Sequence, residues 1–219
     1  MMRILKGIFL VGILYIFTTN TLQAEEVTVK DENKSGENMV LFHDDFSDPQ
    51  KSKELWELLA PSQCIIEDGV LRLSLLNNGG GIGPAVEDHT GWGDYVFSAK
   101  VRFVEKGKGI SRAGFWLRGT SGANIMIVEV DGISSFAYFI TDVITATTAG
   151  LDQELIKKPY TDGKWHYYRF ICKVYAINIW VDGQELGTIK QVPLKGDINI
   201  YAGNCIVEFD DVLVMKIKK

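Results

Sequence analysis

Two neighbouring strand-like segments carry side chains of the types that handle sugars. In Gly114-Phe-Trp-Leu-Arg118, Phe115 and Leu117 alternate with Trp116 and Arg118. In Ile125-Met-Ile-Val-Glu-Val-Asp131, Met126, Val128 and Val130 alternate with Ile125, Ile127, Glu129 and Asp131. Successive side chains on a strand point to opposite faces. If Phe115, Leu117, Met126, Val128 and Val130 face the core, then Trp116, Arg118, Glu129 and Asp131 share the other face. Lys100 and Arg102 join them by the same parity. An indole plate covers the apolar face of a sugar ring, while guanidinium and carboxylate groups take its hydroxyls. Trp116, Arg118, Glu129, Asp131 and Arg102 are therefore the candidate carbohydrate-binding set. Glu129 and Asp131 are also the acids available to a glycosidase, whose retaining form needs two carboxyls about 5–5.5 Å apart. The plain alternative is a solvated sheet face with an Arg–Glu cross-strand pair. An indole on that face favours binding, because Trp is mostly covered in folded proteins.

Other reactive groups are scattered. His43, His89 and His166 show no metal-ligand spacing. Asn77-Asn-Gly-Gly-Gly-Ile-Gly83 has no following Lys-Ser/Thr and no helix, so it is read as a loop over a sheet edge and not as a phosphate cradle. The odd count of three cysteines, Cys64, Cys172 and Cys205, fits small buried hydrophobes better than a disulfide framework.

The elements that must position these groups are strands. Tyr95 to Phe103 alternates strictly, with Tyr95, Phe97, Ala99, Val101 and Phe103 against Ser98, Lys100 and Arg102. Further strands are expected at 71–75, 114–118, 125–131, 135–141, 167–174, 176–181, 197–201 and 205–215. Asp182-Gly183 closes one of them as a turn dipeptide. Only Lys51 to Leu59 reads as a helix, and no βαβ alternation appears. Twenty-two glycines among 219 residues supply many tight turns. The pattern calls for an all-β fold, a two-sheet antiparallel jelly-roll sandwich.

Residues 1–24 read as a signal peptide. Arg3 and Lys6 precede an apolar run from Ile8 to Phe17, and Leu22-Gln-Ala24 offers a cleavage site. The run is short for a ~20-residue span, so export outweighs the alternative of an uncleaved anchor. Residues 25–38 form a polar spacer, and 39–219 the folded domain. The expectation is a secreted or periplasmic protein without a stable membrane span, monomeric by default. The chain carries a net charge of −5. Such a balance argues against a nucleic-acid partner, which would call for clustered Lys and Arg.

Several segments carry a resemblance to a known group. Leu41-Phe-His-Asp-Asp-Phe-Ser-Asp48 resembles the opening strand of concanavalin A-like jelly rolls, and Ile66-Glu-Asp-Gly-Val-Leu-Arg-Leu73 resembles their next hairpin. Trp92 to Phe103, Ala113 to Arg118, Trp165 to Phe170, Ile177 to Gly183 and Phe209-Asp-Asp-Val-Leu-Val214 match later strands. Together they are similar to the laminin-G-like group of the concanavalin A-like lectin/glucanase superfamily, near the 3-keto-disaccharide hydrolase domain and the family 66 carbohydrate modules. The resemblance implies a partner among extracellular or cell-surface glycans. It also implies two alternatives: a hydrolase of the 3-keto-disaccharide type, or a protein-interaction module. Family 16 glucanases carry E-x-D-x-E or E-x-D-x-x-E, whereas Glu129-Val-Asp131-Gly-Ile133-Ser134 supplies only the first two acids. Terminal strands often pair in this superfamily. That would gather Asp44, Asp45 and Asp48 with Asp210 and Asp211, making Asp45 and Asp211 candidate ligands of a structural calcium ion. No other cofactor is expected.

Overall fold

The computed structural model describes residues 39–218, apart from 59–62, 77, 88, 120–122, 131 and 141–146. The expected signal peptide, the spacer and Asp131 lie outside the described residues.

The long strands β6 (Tyr95–Lys106) and β14 (Cys205–Lys216) pair antiparallel along most of their length and form the spine of one sheet. Tyr95, Phe97, Ala99, Val101 and Phe103 all point inward and are buried, so the strict alternation of this segment is realised. β4 (Val70–Ser74) and β3 (Cys64–Glu67) continue the sheet beyond β14. On the other side come β10 (His166–Lys173), β11 (Ala176–Val181) and β12 (Gln184–Lys190). β1 (Val40–Asp44) pairs with the second half of β14, below β4, giving eight strands. The second sheet has six strands in the order β2 (Trp56–Leu58), β5 (Gly79–Pro84), β13 (Ile198–Gly203), β7 (Ser111–Leu117), β8 (Ala123–Val130) and β9 (Ile133–Ile140). Every strand pair is antiparallel.

Aromatic side chains join the two layers. Phe115 of the six-stranded sheet lies 5.0 Å from Phe97, 5.1 Å from Phe170 and 5.8 Å from Tyr168, ring centre to ring centre, all three on the eight-stranded sheet. Tilted pairs at these separations match the ring quadrupoles and add to area burial. Cys172 and Cys205 are buried thiols in this core, held up to about 12 and about 11 by desolvation, and no disulfide joins them.

Two elements differ from expectation. The helix α1 is Pro49–Leu55; Asp48 caps it by accepting from the Gln50 and Lys51 amides at 3.1 and 3.2 Å, and Pro49 opens it. It stops at Leu55, short of Leu59, because Trp56 is pinned elsewhere. The Trp56 indole is buried 4.8 Å from the Phe42 ring and donates to Asp44 Oδ2 at 2.7 Å, and the backbone goes extended into β2. The glycine-rich segment is the strand β5 and not an edge loop. A strand ladder needs backbone groups and not side chains, and β13 pairs with β5 from Ile200↔Ile82 to Gly203↔Gly79. A Cβ on Gly81 would sit 2.4 Å from the Ile200 carbonyl oxygen, so bare backbone is what lets the two strands close.

Gly81→Ala is therefore expected to cost about 2 kcal/mol, the scale of overpacking in a closed structure. Denaturant unfolding midpoints measure it. A loss below about 0.5 kcal/mol would mean that β5 moves aside freely.

Candidate functional site

The parity of β7 decides what the outer face of the six-stranded sheet presents. Phe115 and Leu117 are fully buried in the core, so Trp116 between them points out. Cross-strand register sets Trp116 opposite Asn199 of β13 on one side and Asn124 of β8 on the other; Asn124 in turn faces Phe139 of β9. The next row holds Gly81, Tyr201, Gly114, Met126 and Ala137. The glycines of β5 leave the floor beside Tyr201 and Asn199 without side chains. The result is an indole flanked by two amides and a phenol, next to a smooth strip of backbone.

Among the described residues, three polar atoms on this face are buried and have no hydrogen-bond partner: Trp116 Nε1, Asn124 Oδ1 and Tyr201 Oη. Burial pushes the Tyr201 phenol well above its ordinary value, so it stays a neutral hydroxyl. A buried polar group without a partner costs about 1–3 kcal/mol. Here one donor, one acceptor and one group able to do both lie on three adjacent strands. A ligand bearing hydroxyls satisfies all three, since a hydroxyl both donates and accepts.

No protein-family model and no curated protein sequence matches this chain. Solved structures do. A β-glucanase of Bacillus licheniformis superposes with a TM-score of 0.59 at 16% identity, over 84% of this chain and all of that one. A structure from work on endo-acting O-glycanases that human gut microbiota express to initiate mucin breakdown gives 0.62 at 16% identity, over 82% of this chain and 100% of that one. The CBM2 module of the evolved Dit of Lactobacillus casei BL23 phage J-1 gives 0.58 at 12% identity, over 83% and 98%. The fold is the concanavalin A-like jelly roll. At these identities the likeness is one of fold.

Within this jelly roll the residues singled out by alternation do not gather on one face. β8 has the opposite parity to that expected. Ile125 and Ile127 are buried in the core, while Met126 and Val128 point out, with Met126 lying over the bare position of Gly114. Both parities of Ile-Met-Ile-Val are apolar, so periodicity alone carries no orientation; pairing to β7 and β9 supplies it. Glu129 accordingly sits at the inward-facing end of β8, 5% exposed, paired with Lys106 at 2.8 Å and accepting from the Gly132 amide at 2.6 Å. Burial opposes its ionisation, but these two donors outweigh it and hold the carboxyl below its usual range. That is the reverse of what a glycosidase acid requires.

Arg118 follows the last residue of β7 with φ 60°, which turns its side chain inward to complete burial. There it donates to the carbonyls of Val174, Pro193 and Gly93 and to Asp94, and Tyr95 lies beneath the guanidinium. It ties four segments together and offers nothing to a ligand. Arg102 does face outward, but from the other sheet. It and Arg72 grip the buried Glu208 from either side, each through Nε and Nη2, and Arg102 stacks on Trp165 at 4.6 Å. Charge-assisted forks of this kind fix the three middle strands of that sheet in register.

The candidate calcium ligands are also engaged elsewhere. β1 and β14 pair as expected, yet Asp45 accepts from the amide and hydroxyl of Ser47, at 3.1 and 2.7 Å, and Asp211 lies 3.7 Å from Lys100 and 3.5 Å from His43. Among the described residues no group of three or more His, Cys, Asp or Glu side chains is placed to hold a metal ion. Asp211 has φ 52° and forms a bulge in β14, which sets both Asp210 and Asp211 beside Lys100.

His166, which shows no metal-ligand spacing in the sequence, sits between two carboxylates. Its Nδ1 lies 2.7 Å from Asp182 and its Nε2 3.1 Å from Asp162. The Asp182 hydrogen bond, followed by its charge and by Asp162, raises the imidazole above its ordinary 6.5 against the opposing effect of burial. A raised basic group stabilises the fold fully below its unfolded value and loses that contribution as pH rises through its folded value. Thermal melts from about pH 6 to about pH 9 should therefore show a steeper loss for the wild type than for His166→Gln, which cannot titrate. Parallel curves would remove the imidazolium clamp from the account.

Proposed function

We propose that this protein is an exported carbohydrate-binding module without its own catalysis, and that its site is the outer face of the six-stranded sheet around Trp116. The observation that carries this reading is the set of three buried, unpartnered polar atoms on Trp116, Asn124 and Tyr201, disposed around an outward indole. An aromatic plate with a few fixed polar groups is the chemistry that recognises a sugar ring. The structural neighbours support the ligand class: they include a β-glucanase and a structure from work on mucin O-glycanases. The signal-peptide character of residues 1–24 supports export to where such glycans are met.

What supports binding without cleavage is the chemistry of β8. Its outward positions beside Trp116 are Asn124, Met126 and Val128, and none is an acid. A retaining mechanism needs two carboxyls about 5–5.5 Å apart across the bond. Among the described residues the outer rows contribute no such pair; their single acid is Glu57, on the edge strand β2.

The test is binding of the protein to soluble β-1,3(4)-glucans and to mucin O-glycans, followed by reducing-end release from whichever binds. Trp116→Ala should weaken binding by on the order of tenfold or more, about 1.4 kcal/mol, with the fold intact. Asn124→Ala should also weaken binding, while thermal stability stays level or rises because a buried orphan acceptor is removed. Unchanged affinity in both variants would sink the site. Bond cleavage by the wild type that Glu129→Gln leaves untouched would sink the non-catalytic reading and exclude Glu129 from the chemistry.

A further inference from the structure

One end of the sandwich carries a surface that sugar binding does not use. A cavity of about 1030 Å³ opens there, and its apolar lining includes Met39, Leu41, Trp92, Val174, Leu194 and Ile217. Met39, Val174 and Leu194 are about half exposed, and so are their sequence neighbours Val40 and Tyr175. Lys195, Lys216 and Lys218 stand on the rim, all exposed, and none forms an ion pair with a described residue. Asp94, the carboxylate in the lining, is already taken by Arg118 and by the Val174 amide. The rim is thus left cationic around an apolar floor.

The tip of this surface is built against local preference. Val174-Tyr175 is the two-residue turn between β10 and β11, and Val174 has φ 53°. A β-branched residue in the left-handed region is a backbone outlier, usually avoided with Gly, Asn or Asp. The strain is held from behind: the Val174 carbonyl accepts from the buried Arg118 and its amide donates to Asp94 at 2.8 Å. Local turn preference does not account for an exposed valine and tyrosine at this position.

We propose that this end of the domain docks on a bilayer containing anionic phospholipid. Val174, Tyr175 and Leu194 enter the interface, and Lys195, Lys216 and Lys218 face the headgroups. Apolar tips with an amphipathic aromatic ring suit the acyl–headgroup boundary, and lysines reach back to the phosphates on long apolar stems. The rim favours lipid over a protein partner, because protein interfaces are depleted in lysine. Charge complementarity sets the lipid class: unpaired lysines near an anionic leaflet each add to partitioning. This is surface docking and not a span; no helix among the described residues is long and apolar enough to cross a membrane.

Co-sedimentation of the full 219-residue chain with vesicles tests it, using phosphatidylcholine alone and phosphatidylcholine mixed with phosphatidylglycerol. Binding should require the anionic lipid and fall with added salt. The triple variant K195Q/K216Q/K218Q should lose on the order of a hundredfold in partitioning, about fivefold per lysine. Val174→Asn, which suits a left-handed turn, should bind less while its Tm holds or rises. A triple variant that binds like the wild type would overturn the proposal and assign binding to the apolar run near the N-terminus. A wild type that binds neither vesicle would overturn it in favour of a protein partner.

Discussion

The seat of Phe115 is the constraint on which the rest of this molecule depends. Its ring bridges the two sheets at their centre, within 5.0–6.1 Å of four rings from the opposite layer. Because side chains alternate, burying Phe115 and Leu117 leaves Trp116 nowhere but outward. The core and the proposed sugar platform are therefore not independent inventions: one strand faces both, and the packing of one side fixes the chemistry of the other. Orientation then spreads by register, placing Asn199 and Asn124 on either side of the indole and Tyr201 one row away.

Arg118 shows the same strand ending its alternation on purpose. Had the backbone stayed extended, the guanidinium would have followed Trp116 outward. The left-handed φ at this residue turns it into the sandwich, where three carbonyls and Asp94 receive it. A buried cation needs hydrogen-bond partners. The bonds made by Nη1 and Nη2 draw together the entry to β6, the β10–β11 turn and the loop before β13. One side chain thus organises the end of the domain on which the lysine-rimmed surface sits.

Fold class was legible because it is written in period-two patterns whose two faces differ. Tyr95 to Phe103 could be oriented from sequence since its other face is Ser, Lys and Arg. β8 could not, because both its faces are apolar from Ile125 to Val128, and the inversion there moved Glu129 from the surface to the sandwich interior. β5 was invisible for a different reason: a strand of glycines has no side-chain period at all. Arg118 and the pair of arginines on Glu208 were missed as structural because sequence shows charge but not the partner, which in the latter case is 136 residues from Arg72 and 106 from Arg102. Trp116 could be placed outward from sequence because its neighbours Phe115 and Leu117 are both apolar. Asn124, Asn199 and Tyr201 carried no comparable signal.

The division of labour along β14 has a consequence for how the domain withstands proteolysis. One flank of β14 is covered by β6 throughout, but the other is shared, with β4 covering Ile206–Phe209 and β1 covering Val212–Met215. β1 is five residues long and lies at the start of the described chain. Proteolysis that trims the N-terminus past Asp44 would uncover the second half of β14 as a further open edge, between the edge strands β12 and β3. Open edges recruit strands from other chains. β1 thus covers a seam whose exposure would offer a neighbouring chain a strand to pair with.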